Sequence, residues 1–115
     1  MLNQVILVGR IVYDPELRTL EDGRNVTTIT LAIQRPFKHP ESGEYETDFI
    51  KCSLWSGMAK NTVNYCKKGS VIGVKARLAQ KYFEYENDKG FSYPEVIAEK
   101  ITFINTKKEQ ESEKV

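Results

Sequence analysis

The chain has 115 residues, 40% of them hydrophobic and 29% charged, with 17 basic and 16 acidic side chains leaving a net charge of +1. That is one domain's worth of chain, able to bury a core without staples, and its balance excludes a disordered chain. No stretch approaches the ~20 apolar residues of a spanning helix, so no membrane is expected among its partners, and MLNQVILVGR lacks the basic lead of a signal peptide.

Residues 3–13 (NQVILVGRIVY) and 25–35 (NVTTITLAIQR) are rich in β-branched residues and predict two strands, joined through the turn chemistry of Asp14-Pro15 and Asp22-Gly23. Pro36 ends the second strand, KHPESGE predicts a polar loop, and a third strand is expected over roughly 47–55. The period then changes. After Ser56, an expected N-cap, Ala59, Val63 and Cys66 fall at i, i+4 and i+7 of a helix of about three turns. Lys67, Lys68 and Gly69 place cations and a glycine stop at its C-terminal end. A fourth strand covers 71–83, the charged turn ENDKG follows, and a fifth strand runs from about 92 to 104. The last ten residues, TKKEQESEKV, hold three bases and three acids with no apolar face. They are expected to form a disordered charged tail (106–115) after a single folded domain (1–105). The class is all-β with one helix. The order strand, strand, strand, helix, strand, strand suggests a five-stranded OB-fold barrel, with small sandwiches and SH3-like barrels in competition.

No catalytic constellation stands out. His39 is the only histidine and sits beside Pro40 in a loop, and there is no nucleophile elbow, glycine-rich phosphate loop or metal-ligand spacing. Neither an enzyme nor a cofactor or metal is expected. Cys52 falls on an apolar strand face and Cys66 on the helical stripe, so both read as buried free thiols.

What remains is an aromatic and basic pattern. Read with a period of two, DFIKCSLWSG puts Ile50, Cys52 and Leu54 on a core face, and Phe49, Lys51, Ser53 and Trp55 on the other. In the fourth strand Ile72, Val74, Ala76 and Leu78 form the core face, against Lys75, Arg77, Ala79, Lys81 and Phe83. Phe37 adds a ring just after Arg35 and Pro36. One exposed ring is ordinary, and rings also fill oligomer interfaces. The joint pattern on two strands fits single-stranded nucleic acid, whose bases stack on rings while Lys and Arg neutralise the phosphates. An OB-type module for protein or sugar, and an OB-fold nuclease, are the rival readings.

MLNQVILVGRIVYDPELR, DFIKCSLW, NYCKKGS and GVKARL resemble, in that order, the first strand, third strand, helix end and fourth strand of the bacterial single-stranded DNA-binding proteins. The resemblance covers about residues 1–105. It implies an OB fold, a homotetramer and sequence-independent binding of single-stranded DNA in replication, recombination, repair or DNA uptake, in the cytoplasm at the nucleoid. The family's stacking positions carry over to Phe37, Phe49, Trp55 and Phe83, and its basic positions to Lys81 and, less cleanly, to Lys75 and Arg77. With Arg35 and Lys51 these form the expected nucleic-acid-binding set. The family often has Gly at Ala76 and a basic or polar run at Ala79-Gln80, which implies a weaker phosphate grip here. Full-length members add a Gly-rich linker and an acidic tip that recruits repair and replication enzymes. EQESEKV has neither, so no tip-mediated recruitment is expected. The chain looks most like the short Gram-positive paralogue associated with competence. A related dimeric primosome protein is the nearest rival.

Overall fold

The computed structural model describes residues 1–106. The strands are β1 (Val5–Ile11), β2 (Arg18–Thr19), β3 (Asn25–Lys38), β4 (Tyr45–Trp55), β5 (Val71–Glu86) and β6 (Lys89–Asn105), with one helix, α1 (Ser56–Tyr65), between β4 and β5. They hydrogen-bond in the order β1-β5-β6-β4-β3-β2, and β1 also pairs with β3 through Arg10↔Ala32 and Ile11↔Leu31. That last contact closes β1, β3, β4, β5 and β6 into a five-stranded barrel, the expected OB architecture. The two-residue β2, not expected from the sequence, pairs with Val26 and Asn25 at the start of β3.

Alternation fills the barrel. Ile72, Val74 and Ala76 on β5 face Leu31, Ile29, Cys52 and Leu54 from β3 and β4, all nearly inaccessible to solvent. Gly9 is needed where β1 meets β3. A Cβ there would lie 2.8 Å from Ile33 Cγ1 and 2.9 Å from the Ala32 carbonyl oxygen, too close for any other residue without a backbone shift. Asn3 lengthens the β1–β5 ladder with its side chain, accepting from the Leu78 amide at 2.9 Å and donating to the Leu78 carbonyl at 2.7 Å.

Several local expectations need correcting. Pro36 does not end its strand: β3 runs on to Lys38, which pairs with Tyr45 across a register shift. Leu78 is 45% exposed and does not continue the core face, because past Ala76 the β5–β6 hairpin leaves the barrel and has no layer beneath it. That hairpin is longer than expected, and ENDKG tightens to a two-residue turn at Asn87-Asp88, with Asp88 at φ 60°. Ser56 does not cap α1. It has φ 58° and no side-chain cap hydrogen bond is made, so the helix starts directly from the extended Trp55. At the other end Lys67 and Lys68 lie beyond the last turn, and Gly69 (φ 95°) serves a following turn whose amide donates to the Ile11 carbonyl at 2.8 Å. Ala59 and Cys66 are buried as expected, with Thr62 in place of Val63 as the other buried helical side chain. The expected tail from 107 onward lies outside the described residues, and Thr106 is buried. Among the described residues, no helix is long and apolar enough to cross a membrane.

Candidate nucleic-acid interface

The register of β3 on β4 is Val26↔Trp55, Thr28↔Ser53, Thr30↔Lys51 and Ala32↔Phe49. Because Cys52 and Leu54 point into the barrel, Phe49, Lys51, Ser53 and Trp55 point out of it. At ~3.3 Å per residue the two rings stand roughly 20 Å apart on one face. β6 runs beside β4, parallel to it, through Cys52↔Val96 and Ser53↔Ile97, so the β5–β6 hairpin rises along the edge of this face. Its pairs Lys81↔Tyr93 and Ala79↔Glu95 bring a ring, a cation and a carboxylate opposite Trp55.

Between them lies a cleft of about 460 Å³, lined by Lys51, Ser53, Trp55, Lys81, Tyr93, Pro94 and Glu95 with Arg18 and Thr28 at one side. That is a ligand-sized opening in which the Trp55 and Tyr93 rings and Pro94 are interleaved with the charges of Arg18, Lys51, Lys81 and Glu95. The Ser53 hydroxyl donates to Glu95 Oε1 at 2.6 Å, and Glu95 Oε2 lies 3.5 Å from Lys81 Nζ. The carboxylate is thus tied to both walls, and only 16% of its side chain is exposed.

The structure brings Lys51, Trp55 and Lys81 into this one cleft. Phe49 shares their face farther along β4, 65% exposed. Phe83 stands on the hairpin in a row of rings, 5.6 Å from Phe91, which is in turn 6.0 Å from Tyr93 and 6.5 Å from Tyr85. The row leads from the cleft out along the hairpin. Phe37 is exposed on the β3–β4 arm, within the register shift between Gln34 and Lys38.

Three expected residues lie elsewhere or are otherwise engaged. Arg35 Nη1 donates to Glu46 Oε2 at 2.6 Å, and Arg35 Nη2 to Asp48 Oδ1 at 3.0 Å. Its guanidinium braces the β3–β4 arm. The hydrogen bonds to Asp48 raise the Arg35 pKa above its ordinary value and hold Asp48 below the usual carboxylate range. Lys75 lies between Ile6 of β1 and Lys100 of β6, and Arg77 opposite Ile97, neither lining the cleft. Sequence reasoning missed Tyr93, Glu95, Phe91, Tyr85 and Arg18. The signal for the rings was present, because Phe91 and Tyr93 alternate with Ser92 and Pro94 just as Phe83 and Tyr85 alternate with Glu84. Burial pushes the Cys52 thiol up to about 11, which leaves it protonated and unreactive.

The family model described as "Single-strand binding protein family" matches residues 2–104. The chain belongs to that family. Among single-strand binding relatives, it is 43% identical over 107 residues to "Single-stranded DNA-binding protein B" of Bacillus subtilis, covering 93% of this chain and 94% of that protein. It is 44% identical over 107 residues to "Single-stranded DNA-binding protein 3" of Listeria innocua, covering 93% of this chain. It spans 66% of that Listeria protein's length. The fold matches the solved structure "Plasmodium falciparum SSB complex with ssDNA" with a TM-score of 0.75 at 20% identity, covering 91% of this chain and 96% of that one. For a single-strand binding protein, the outward face of β3 and β4 under the β5–β6 hairpin is the surface where rings and cations meet.

Proposed function

We propose that this chain binds and protects single-stranded DNA without sequence preference, by stacking bases on rings and neutralising phosphates with the cations between them. One observation carries the reading: Trp55, Lys51, Lys81 and Tyr93, from three strands, line the same cleft. Stacking contributes ~1–3 kcal/mol per base and tolerates every base, because each has a π-face. A duplex keeps those faces hidden, so the cleft rejects it without any repulsive device. Phe49, Phe83 and Phe37 extend the stacking path along both arms, and Phe91 and Tyr85 join it. The protein binds its ligand and performs no reaction on it. Replication, recombination, repair and DNA uptake all present such strands, in the cytoplasm at the nucleoid.

The same reading includes assembly into a homotetramer. On the side away from the cleft, Ile6 and Val8 are 67% and 55% exposed, with Ile104 56% exposed beside Gly73. Residues Val5–Val8 pair with β5 alone among the described strands, leaving the other edge of this part of β1 open to a strand from a second copy. In such an assembly Lys75 serves the subunit interface, not the DNA.

Titrating oligo(dT) against Trp55 fluorescence at several salt concentrations tests the function. The signal should quench on binding, and log K should fall with log salt by ~0.7 per phosphate neutralised on a single strand. Affinity flat from low to high salt would point to a protein or sugar ligand. A second result follows from the carboxylate in the cleft. Glu95→Gln removes a charge that repels phosphate and holds Lys81, so oligo(dT) affinity should rise by about 0.5–1 kcal/mol, the range of a partly exposed ion pair. Weaker binding by this variant would show that Glu95 supports the strand instead of restraining it.

A further inference from the structure

Trp55 already has one partner within its own chain. The Arg24 guanidinium carbon lies 4.9 Å from the centroid of the Trp55 ring, within the range of a cation–π contact. Trp55 lines the cleft and Arg24 does not.

The local backbone holds Arg24 there. Leu20 to Arg24 form the tight turn between β2 and β3: the Leu20 amide donates to the Arg24 carbonyl at 2.8 Å and the Gly23 amide to the Leu20 carbonyl at 2.9 Å. Gly23 has φ 89°, which suits glycine. Asp22 Oδ1 accepts from the Arg24 amide at 3.1 Å, and Asp22 Oδ2 from Arg24 Nε at 2.7 Å. The backbone amide and the guanidinium together hold Asp22 below the usual carboxylate range. One carboxylate therefore fixes both ends of the arginine. Two residues on, Val26 pairs with Trp55 across the ladder, which puts the turn directly beside the ring.

We propose that Arg24 is a positioning residue for base stacking: pinned by Asp22, it backs the Trp55 indole and holds it toward the cleft. A base entering the cleft then completes a guanidinium–indole–base sandwich. This rests on the reading of Trp55 as a stacking ring, and the arginine acts through that ring without touching the strand. Trp55 is the only tryptophan, so its emission reports on the contact directly.

The test is a double-mutant cycle on full-length protein, with affinity for end-labelled oligo(dT) read by anisotropy at several salt concentrations. Arg24→Ala should weaken binding about two- to fivefold, the range of an exposed cation–π contact, with the salt slope unchanged. In the Trp55→Ala background the same change should cost nothing further. In the free protein, Arg24→Ala should lower the steady-state anisotropy of Trp55 emission as the indole gains freedom. Arg24→Lys keeps the charge but not the planar stack, and should resemble Arg24→Ala. Additive losses with a slope shallower by ~0.7 would mean that Arg24 contacts a phosphate, and tighter binding by Arg24→Ala would make it a lid; either overturns the proposal. A normal loss in Trp55→Ala with no effect of Arg24→Ala sinks only the role of Arg24. Parent-like affinity in Trp55→Ala sinks the stacking reading itself.

Discussion

Trp55→Ala is expected to weaken binding of oligo(dT) by about 1–3 kcal/mol, roughly 5- to 150-fold, while leaving thermal stability close to that of the parent. The ring is only partly buried, points out of the barrel beside Lys51 and Ser53, and lines the cleft opposite Lys81 and Tyr93. Its loss removes a stacking platform at the place where two strands and the hairpin converge. The cost should fall in the dissociation rate, because the cations that steer the strand remain. Since the variant has no tryptophan, labelled DNA must supply the signal. Unchanged affinity, or a collapsed melting curve with unchanged affinity, would show that the ring belongs to the fold.

One residue earlier the expectation reverses. Leu54→Ala should lower folding stability by about 2–5 kcal/mol, the usual range for a leucine removed from a well-packed core. Leu54 has no solvent exposure and sits in the cluster with Ile29, Leu31, Cys52 and Ala59. The barrel strands and α1 fix those neighbours, so the cavity cannot readily collapse. For a domain of this size the melting temperature should drop by at least about 8 °C, at ~4–8 °C per kcal/mol. At temperatures where it remains folded, the variant should bind oligo(dT) nearly as the parent does. A stable Leu54→Ala that fails to bind would mean that the two faces of β4 had been exchanged.

These opposite outcomes at adjacent positions were legible in the sequence, because a strand buried on one face writes its two roles at alternate residues. The same rule located Ile72, Val74 and Ala76 inside and Lys81 and Phe83 outside. It failed at Leu78, since alternation says which way a side chain points but not whether anything is there to meet it. The cleft was only half legible. Its β4 wall is contiguous in sequence, whereas Tyr93 and Glu95 arrive through strand pairing between segments about 40 residues apart. Arg35 misled for a related reason. As an arginine beside a ring it fitted the pattern, but the β3–β4 register, with Gln34 opposite Thr47 and Ile33 opposite Asp48, delivers two carboxylates to its guanidinium. Ser56 had the chemistry of a cap, but its backbone turns left-handed as β4 gives way to α1.

The two thiols of the barrel have a practical side. Alkylating reagents attack the thiolate, and both Cys52 and Cys66 are closed off from solvent, the former with its pKa pushed up to about 11. Maleimide dyes at neutral pH therefore have no ready target in the folded domain. A single cysteine introduced at exposed Asn87, on the tip of the β5–β6 hairpin, would carry a fluorophore at the end of that arm without first stripping the native sulfurs from the core. The distance from the hairpin tip to a bound strand could then be read by energy transfer to labelled DNA.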